Sequence, residues 1–122
     1  MNNLNITARI KKENKARLET VFTYLCLHLN LQNVTLEICS SDTISDNGVA
    51  YNATSAQVCN ARNIEDTIAS MAHELRHCFQ YNRGWLVDMT WKGTDHSKTP
   101  YATRPWEQDA REFEFRIAGR YR

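Results

Sequence analysis

The stretch NIEDTIASMAHELRHCFQYNRG, residues 63–84, decides how this chain folds. Its apolar residues recur at helical spacing, and they are Ile64, Ile68, Met71, Leu75 and Phe79. Asn63 is a typical helix N-cap, and Glu65 and Asp66 add negative charge in the first turn, where the helix dipole favours it. Gly84 is a typical end of a helix. The pattern predicts an amphipathic helix that packs one face against a sheet.

Two histidines lie on the opposite face of this predicted helix. His73 and His77 are four residues apart, so both imidazoles project from one side and can share one metal ion. Glu74 projects beside the pair, where it can reach a water molecule bound to the metal. Zinc lowers the pKa of such a water, and a carboxylate can then act as the general base. The alternative is a surface helix whose histidines face solvent.

A catalytic zinc ion usually takes three protein ligands and keeps one position open. In the His-x-x-Gly-x-x-His arrangement, Gly and His would stand where this chain has Gln80 and Arg83, so that arrangement is excluded. The remaining candidates lie in the following segment and on the last predicted helix, and they are His96, Glu107, Asp109, Glu112 and Glu114.

The helical angle ranks these candidates, because a ligand must face inward. Glu107 and Glu114 border the apolar stripe of the last helix, whereas Glu112 lies well off it. Glu107 is in the first turn, next to the segment that returns from the histidine helix. Ala110, one turn on, is small enough to let the two helices approach closely. We therefore favour Glu107 as the third ligand.

The rest of the chain predicts strands and two more helices. Apolar residues at helical spacing between Leu18 and Leu29 predict a first helix over roughly Lys11 to Asn30. Alternation around Leu36 predicts a strand, and residues 49–53 and 57–61 read as a hairpin after a polar loop at 40–48.

The segment from Gly84 to Thr103 reads as a long loop, and connections of that length tend to be functional. Pro105 suits the first turn of a final helix. The apolar stripe of that helix is Trp106, Ala110, Phe113, Ile117 and Tyr121. The element order predicts an α+β fold, in which a small mixed or antiparallel sheet packs on the histidine helix. The 122 residues suit a single domain, residues 1–122.

Composition excludes several classes of function. A formal net charge of +1 gives no electrostatic case for a nucleic-acid or membrane partner. No apolar stretch of about 18 residues exists, and the first residues lack a signal-peptide core, so we expect a cytoplasmic protein. The four cysteines include no CxxC pair and read as small buried residues rather than a disulfide framework or zinc knot.

The order His73-Glu74-x-x-His77, then Glu107-x-x-Ala110, resembles the gluzincin group of zinc metallopeptidases. It looks closest to small bacterial and phage members with an E-x-[DE]-A-x-x-F helix, which here reads EQDAREF over residues 107–113. The likeness covers roughly residues 49–113, and its first motif is the more specific one.

The resemblance implies a minimal zincin-like fold and a zinc-dependent endopeptidase acting on a peptide or protein substrate. It implies zinc on His73, His77 and Glu107, with Glu74 as general base. It further implies that the strand near Gln57 to Ala61 is a sheet edge that holds an extended peptide. The chain departs from larger members by ending soon after the third-ligand helix, which leaves out a substantial C-terminal subdomain.

Other roles remain open at this point. Amide hydrolysis needs a donor for the developing negative charge, and Tyr101, His96 and Arg104 are candidates; we prefer Tyr101 over a plain packing role. Asp109 is a candidate for orienting a ligand histidine. The rival interpretations are a catalytically silent zincin that keeps zinc for folding or partner binding, and a metal-free interaction module. The intact Glu74 favours the enzyme.

Overall fold

The computed structural model describes residues 1–41 and 47–120, and the side chains as far as Ile117. These residues contain three α-helices, a four-stranded sheet and a three-stranded sheet, so the predicted α+β class is confirmed. The helices are α1 (Lys12–His28), α2 (Ile64–Asn82) and α3 (Pro105–Arg120). The strands are β1 (Asn3–Ile6), β2 (Thr35–Cys39), β3 (Gly48–Asn52), β4 (Ser55–Cys59), β5 (Leu86–Val87), β6 (Thr90–Trp91) and β7 (Thr94–Asp95).

The larger sheet is mixed and has the strand order β1-β2-β4-β3. β1, β2 and β4 are parallel, and β3 runs antiparallel to β4. Alternate residues of β2 and β4 bury one face of the sheet, as the strand period requires. That face joins the apolar sides of α1 and α2 in the core, and its buried members include Leu36, Ile38, Ala56 and Val58.

The prediction that the strand near Gln57 to Ala61 is a sheet edge is wrong. β4, which covers most of residues 57–61, hydrogen-bonds β2 on one side and β3 on the other. The hairpin itself is confirmed, but its second arm pairs in parallel with β2, starting with Thr35 opposite Ser55. The first arm, β3, is therefore the edge of the sheet near α2.

Strand β1 was not predicted, because only Leu4 and Ile6 are apolar in its four residues. Its pairing with β2 joins residues about 32 positions apart, and a local pattern does not reveal such a contact. Asn2 secures the start of the strand. Its amide donates to the carbonyl of Leu31 at 2.9 Å and accepts from the backbone of Val34 at 2.9 Å.

Helix α2 has the predicted signals at both ends. The side chain of Asn63 accepts a hydrogen bond from the backbone of Asp66 at 2.9 Å, which is the N-cap contact. At the other end Gly84 has φ +72°, a conformation that glycine adopts without strain. The backbone of Trp85 then donates to the carbonyl of Gln80 at 3.0 Å and closes the helix.

The segment after α2 contains more structure than the predicted loop. β5, β6 and β7 form a three-stranded antiparallel sheet, and residues 101–103 form a 3₁₀ turn. Two-residue strands are too short to give a period-2 pattern. Helix α3 begins at Pro105 as predicted, and its stripe residues Trp106, Ala110, Phe113 and Ile117 are buried. Tyr121 and most of the predicted polar loop lie outside the described residues.

The predicted first helix is confirmed as α1. It buries one side, with the residues Leu18, Val21, Phe22 and Leu25. Within the described part of the chain, no helix has both the length and the apolar character needed to cross a membrane.

Candidate metal centre

Three side chains from two helices converge at one point. Oε1 of Glu107, in the first turn of α3, lies 3.0 Å from Nε2 of His73 and 3.2 Å from Nε2 of His77. One potential ligand atom from each residue lies within 4.8 Å of the other two. The imidazole rings are 4.8 Å apart and almost perpendicular. His77 and Glu107 are buried, and His73 is partly buried.

The second nitrogen of His73 faces another carboxylate. Its Nδ1 lies 2.6 Å from Oε1 of Glu114, which is two turns after Glu107 on α3. Glu114 therefore contacts the side of the imidazole that faces away from Glu107, and it is not one of the three converging residues. A carboxylate in this position fixes the orientation of the ring and favours a proton on Nδ1.

The second nitrogen of His77 faces an amide. Its Nδ1 lies 2.7 Å from Oε1 of Gln80, which is fully buried. Gln80 donates in turn to the carbonyl of Trp106 at 3.0 Å and to Asp109 at 2.8 Å. Arg76 donates two hydrogen bonds to Asp109, at 2.7 and 3.1 Å. The contact of Gln80 with His77 was not predicted, although their spacing of three residues on one helix allows it.

The charges of the three converging residues depend on one another. Burial alone would lower the pKa of His73, but hydrogen bonds to Glu107 and Glu114 outweigh it and raise the pKa to about 9. Burial alone would raise the pKa of Glu107, but the two histidines hold it well below its usual range. In the absence of a metal ion, the cluster thus combines an ionised Glu107 carboxylate with a His73 imidazole that holds positive charge beside it.

Glu74 lies outside this cluster and is itself buried. Burial raises the pKa of its carboxyl, while the charges of His77 and His73 oppose the increase. Edge strand β3 passes very close to it. A Cβ atom on Gly48 would lie 2.8 Å from Cγ and 3.0 Å from Oε2 of Glu74. The glycine is therefore required by the close approach of the strand to this carboxylate.

A cavity of about 590 Å³ opens beside the cluster. Its walls come from the edge strand, α2, the 3₁₀ turn and α3, and they are lined by Asn47, Gly48, Ser70, His73, Glu74, Tyr101 and Glu114. Tyr101 is 59% exposed, so its side of the cavity is open to solvent. Guanidinium groups of Arg104 and Arg111 each lie 5.7 Å from the ring of Tyr101.

His96 and Glu112, the other candidate ligands, and Arg104, a candidate donor to the substrate carbonyl, lie away from the cluster or make other contacts. Nδ1 of His96 lies 3.0 Å from the hydroxyl of Thr99, and its ring packs edge-on against Trp106. Arg104 donates to the carbonyl of Thr99 at 3.1 Å. Glu112 is exposed on α3. Among the described residues, His73, His77 and Glu107 are the three brought together as a possible metal-binding group.

The donor set of this group fits a metal ion. If each histidine keeps its proton on Nδ1, both Nε2 lone pairs point toward the carboxylate of Glu107. Three electron-rich atoms in a buried site repel one another unless protons or a cation lie between them. Two imidazole nitrogens and one carboxylate oxygen are donors that suit a divalent transition metal.

A family described as "Putative metallopeptidase family (DUF6782)" matches residues 3–122 of the chain. No curated protein and no protein of solved structure matches it.

The contact between Gly48 and Glu74 gives a prediction about stability. In Gly48→Ala, the new methyl group overlaps the Glu74 side chain, and we expect the free energy of unfolding to fall by about 1–3 kcal/mol. Urea denaturation measures the change. Glu74→Ala removes the overlapping atoms. Gly48→Ala should therefore lower the free energy of unfolding much less in a Glu74→Ala background than in the wild type. Equal costs in the two backgrounds would contradict the proposed overlap.

Proposed function

Because the chain belongs to this metallopeptidase family, we propose that it is a zinc-dependent endopeptidase that hydrolyses peptide bonds in a peptide or protein substrate. His73, His77 and Glu107 would hold the zinc ion, and Glu74 would act as general base. The observation that carries the proposal is the convergence of both Nε2 atoms on Oε1 of Glu107, next to a cavity that Glu74 lines.

The donor set suits zinc. Two imidazoles and one carboxylate on a pair of helices, with a cavity beside them, match the three-ligand arrangement of catalytic zinc sites. Bound zinc would supply a Lewis acid that makes water acidic enough to lose a proton near neutral pH and that polarises a carbonyl group. The chain's own residues would handle the proton and the substrate.

Glu74 is suited to accept and return a proton. It follows His73 directly on α2, so its carboxylate is beside the ligands, and it lines the cavity where a substrate carbonyl would enter. Burial raises its pKa, which makes the carboxylate a stronger base than an exposed glutamate. The same carboxyl group can then protonate the leaving amine. Its distance from the edge strand is fixed by Gly48.

Tyr101 is the side chain we propose as donor to the carbonyl oxygen as negative charge develops. It lines the cavity from the 3₁₀ turn that precedes α3. Arg111 donates to the carbonyl of Ala102 at 3.0 Å and anchors this turn to α3. The two nearby guanidinium groups add positive charge near the ring, which strengthens a phenol as a hydrogen-bond donor.

Removing the carboxylate of Glu107 should weaken zinc binding by more than about 100-fold, because changes to residues that only support a ligand already cost about 10- to 100-fold. We expect this for Glu107→Ala, measured by competition with a chromogenic chelator. Glu112→Ala, on the exposed side of the same helix, should bind zinc like the wild type. Tight zinc binding by Glu107→Ala would contradict the ligand assignment.

Replacing the proposed base should abolish cleavage without removing zinc. In Glu74→Gln, we expect hydrolysis of a denatured protein to fall by about 100-fold or more, since the amide cannot accept the proton. Zinc content should stay at one ion per chain. Glu65→Gln, exposed in the first turn of α2, serves as the matched control. If the wild type binds zinc but its cleavage equals that of Glu74→Gln, the protein is a silent zinc-binding module instead.

The role of Tyr101 predicts an effect on the rate rather than on binding. Tyr101→Phe removes only the hydroxyl, and we expect kcat to fall by about 100-fold with little change in KM, since the donor acts on charge that develops in the transition state. Steady-state kinetics with a fluorogenic peptide measures both constants. Tyr24→Phe on α1 is the control. A changed KM with an unchanged kcat would instead assign Tyr101 to substrate binding.

A further inference from the structure

We propose that Gln80 is a positioning residue that determines which ring nitrogen of His77 faces the metal, and that Asp109 and Arg76 determine the orientation of Gln80. The inference rests on the metal site of the proposed function and does not depend on cleavage of any substrate. It assigns a role to three residues that contact none of the atoms in the reaction.

The direction of each hydrogen bond follows from the groups around Gln80. Its Nε2 lies 3.0 Å from the carbonyl oxygen of Trp106 and 2.8 Å from the carboxylate of Asp109. Both of these groups can only accept, so the NH₂ end of the amide must face α3. Its oxygen must then face His77, and a proton must stand on Nδ1 of that ring to fill the 2.7 Å contact. The lone pair of His77 is therefore on Nε2, toward Glu107.

Asp109 is an acceptor because Arg76 donates to both of its carboxylate oxygens. The guanidinium group is fixed as well, since it lies 4.5 Å from the ring of Phe79 and 5.2 Å from that of Phe113. A bidentate pair of this kind fixes both position and orientation. The pKa of Asp109 agrees with this geometry. Burial alone would raise it, but the hydrogen bonds from Arg76 and Gln80 outweigh burial and lower it.

The two histidines are supported by different chemical groups. His73 contacts the carboxylate of Glu114. That side chain is 30% exposed, so water stabilises its negative charge. Gln80 is fully buried and already contacts Asp109. A carboxylate at position 80 would place a buried negative charge next to the partly buried carboxylate of Asp109, at a high desolvation cost and with direct repulsion. A neutral amide supplies the acceptor that His77 needs without this charge.

The first test replaces the amide with an apolar side chain of similar length. We expect Gln80→Met to bind zinc about 10- to 100-fold more weakly than the wild type in a chelator competition. Gln108→Met, exposed on α3, is the matched control and should bind like the wild type. Equal affinities of Gln80→Met, Gln108→Met and wild type would overturn the inference.

The second measurement follows the ring protons themselves. In the zinc-loaded wild type, nitrogen-15 histidine NMR should show Nδ1–H protons of both His73 and His77 that exchange slowly with water. Gln80→Met should lose the slow exchange at His77 and keep it at His73. Glu114→Ala should give the reverse result. A general loss of stability would change the exchange at both rings and not at His77 alone. An unchanged His77 signal in Gln80→Met would refute the relay.

Asp109→Ala decides the matter if Gln80→Met does not fold, since it leaves Gln80 in place. Arg76 and Gln80 both donate to the same carboxylate oxygen of Asp109, so its removal takes one acceptor from the Gln80 NH₂ group and leaves Arg76 to compete as a donor for the Gln80 oxygen. The Gln80 amide then loses its single orientation. Weaker zinc binding and faster exchange at His77 support the relay. No change in either overturns it. Absence of zinc binding by the wild type would overturn both this inference and the proposed metal site, whereas zinc binding without cleavage would affect the proposed hydrolysis alone.

Discussion

The contact between α2 and α3 sets the distances in the candidate metal centre. The two histidines come from α2 and the carboxylate comes from α3, 30 residues after His77. Ala110 is fully buried between the helices, and its small side chain allows them to approach. Phe113 and Ile117 continue the contact into the core, and burial of such side chains contributes roughly 1.5–3 kcal/mol each. Apolar packing on one side of α3 therefore offsets the cost of placing ionisable groups on the other.

The polar side of this contact is fully paired. Among the described residues, no buried side-chain nitrogen or oxygen lacks a hydrogen-bond partner. His73 is held between two carboxylates, and His77 between a carboxylate and an amide. In such a site each side chain restricts the rotamer of the next one, which prepares the ligand atoms before any ion binds. Preorganisation of this kind links the fold to the proposed chemistry.

The sequence was most informative where the signals are local. The helix around His73 could be predicted from its N-cap, its apolar period and Gly84, all within residues 63–84. Glu107 could be singled out by its place in the first turn of the last helix, beside the apolar stripe and one turn before the small Ala110, and the structure brings it to both histidines. The contact of Glu114 with His73 could not be predicted in the same way, because it depends on the distance between two helices. The contact of Gln80 with His77 lies within α2, where the spacing allows it but the side-chain rotamers decide it. The edge position of the strand near Gln57 to Ala61 was predicted incorrectly for a related reason. Parallel pairing of β2 with β4 is a long-range choice that neither strand encodes alone.

The position of Arg76 has a consequence for how this protein can change during evolution. Its guanidinium group contacts rings from α2, from the segment after it and from α3, and it also holds Asp109. A lysine there would keep the charge but lose the planar fork and the ring stacking. Loss of Arg76 alone would leave a partly buried carboxylate without its counter-ion. Related sequences should therefore exchange positions 76, 80 and 109 together, and covariation among these three positions would trace the metal centre even where the histidine motif has diverged.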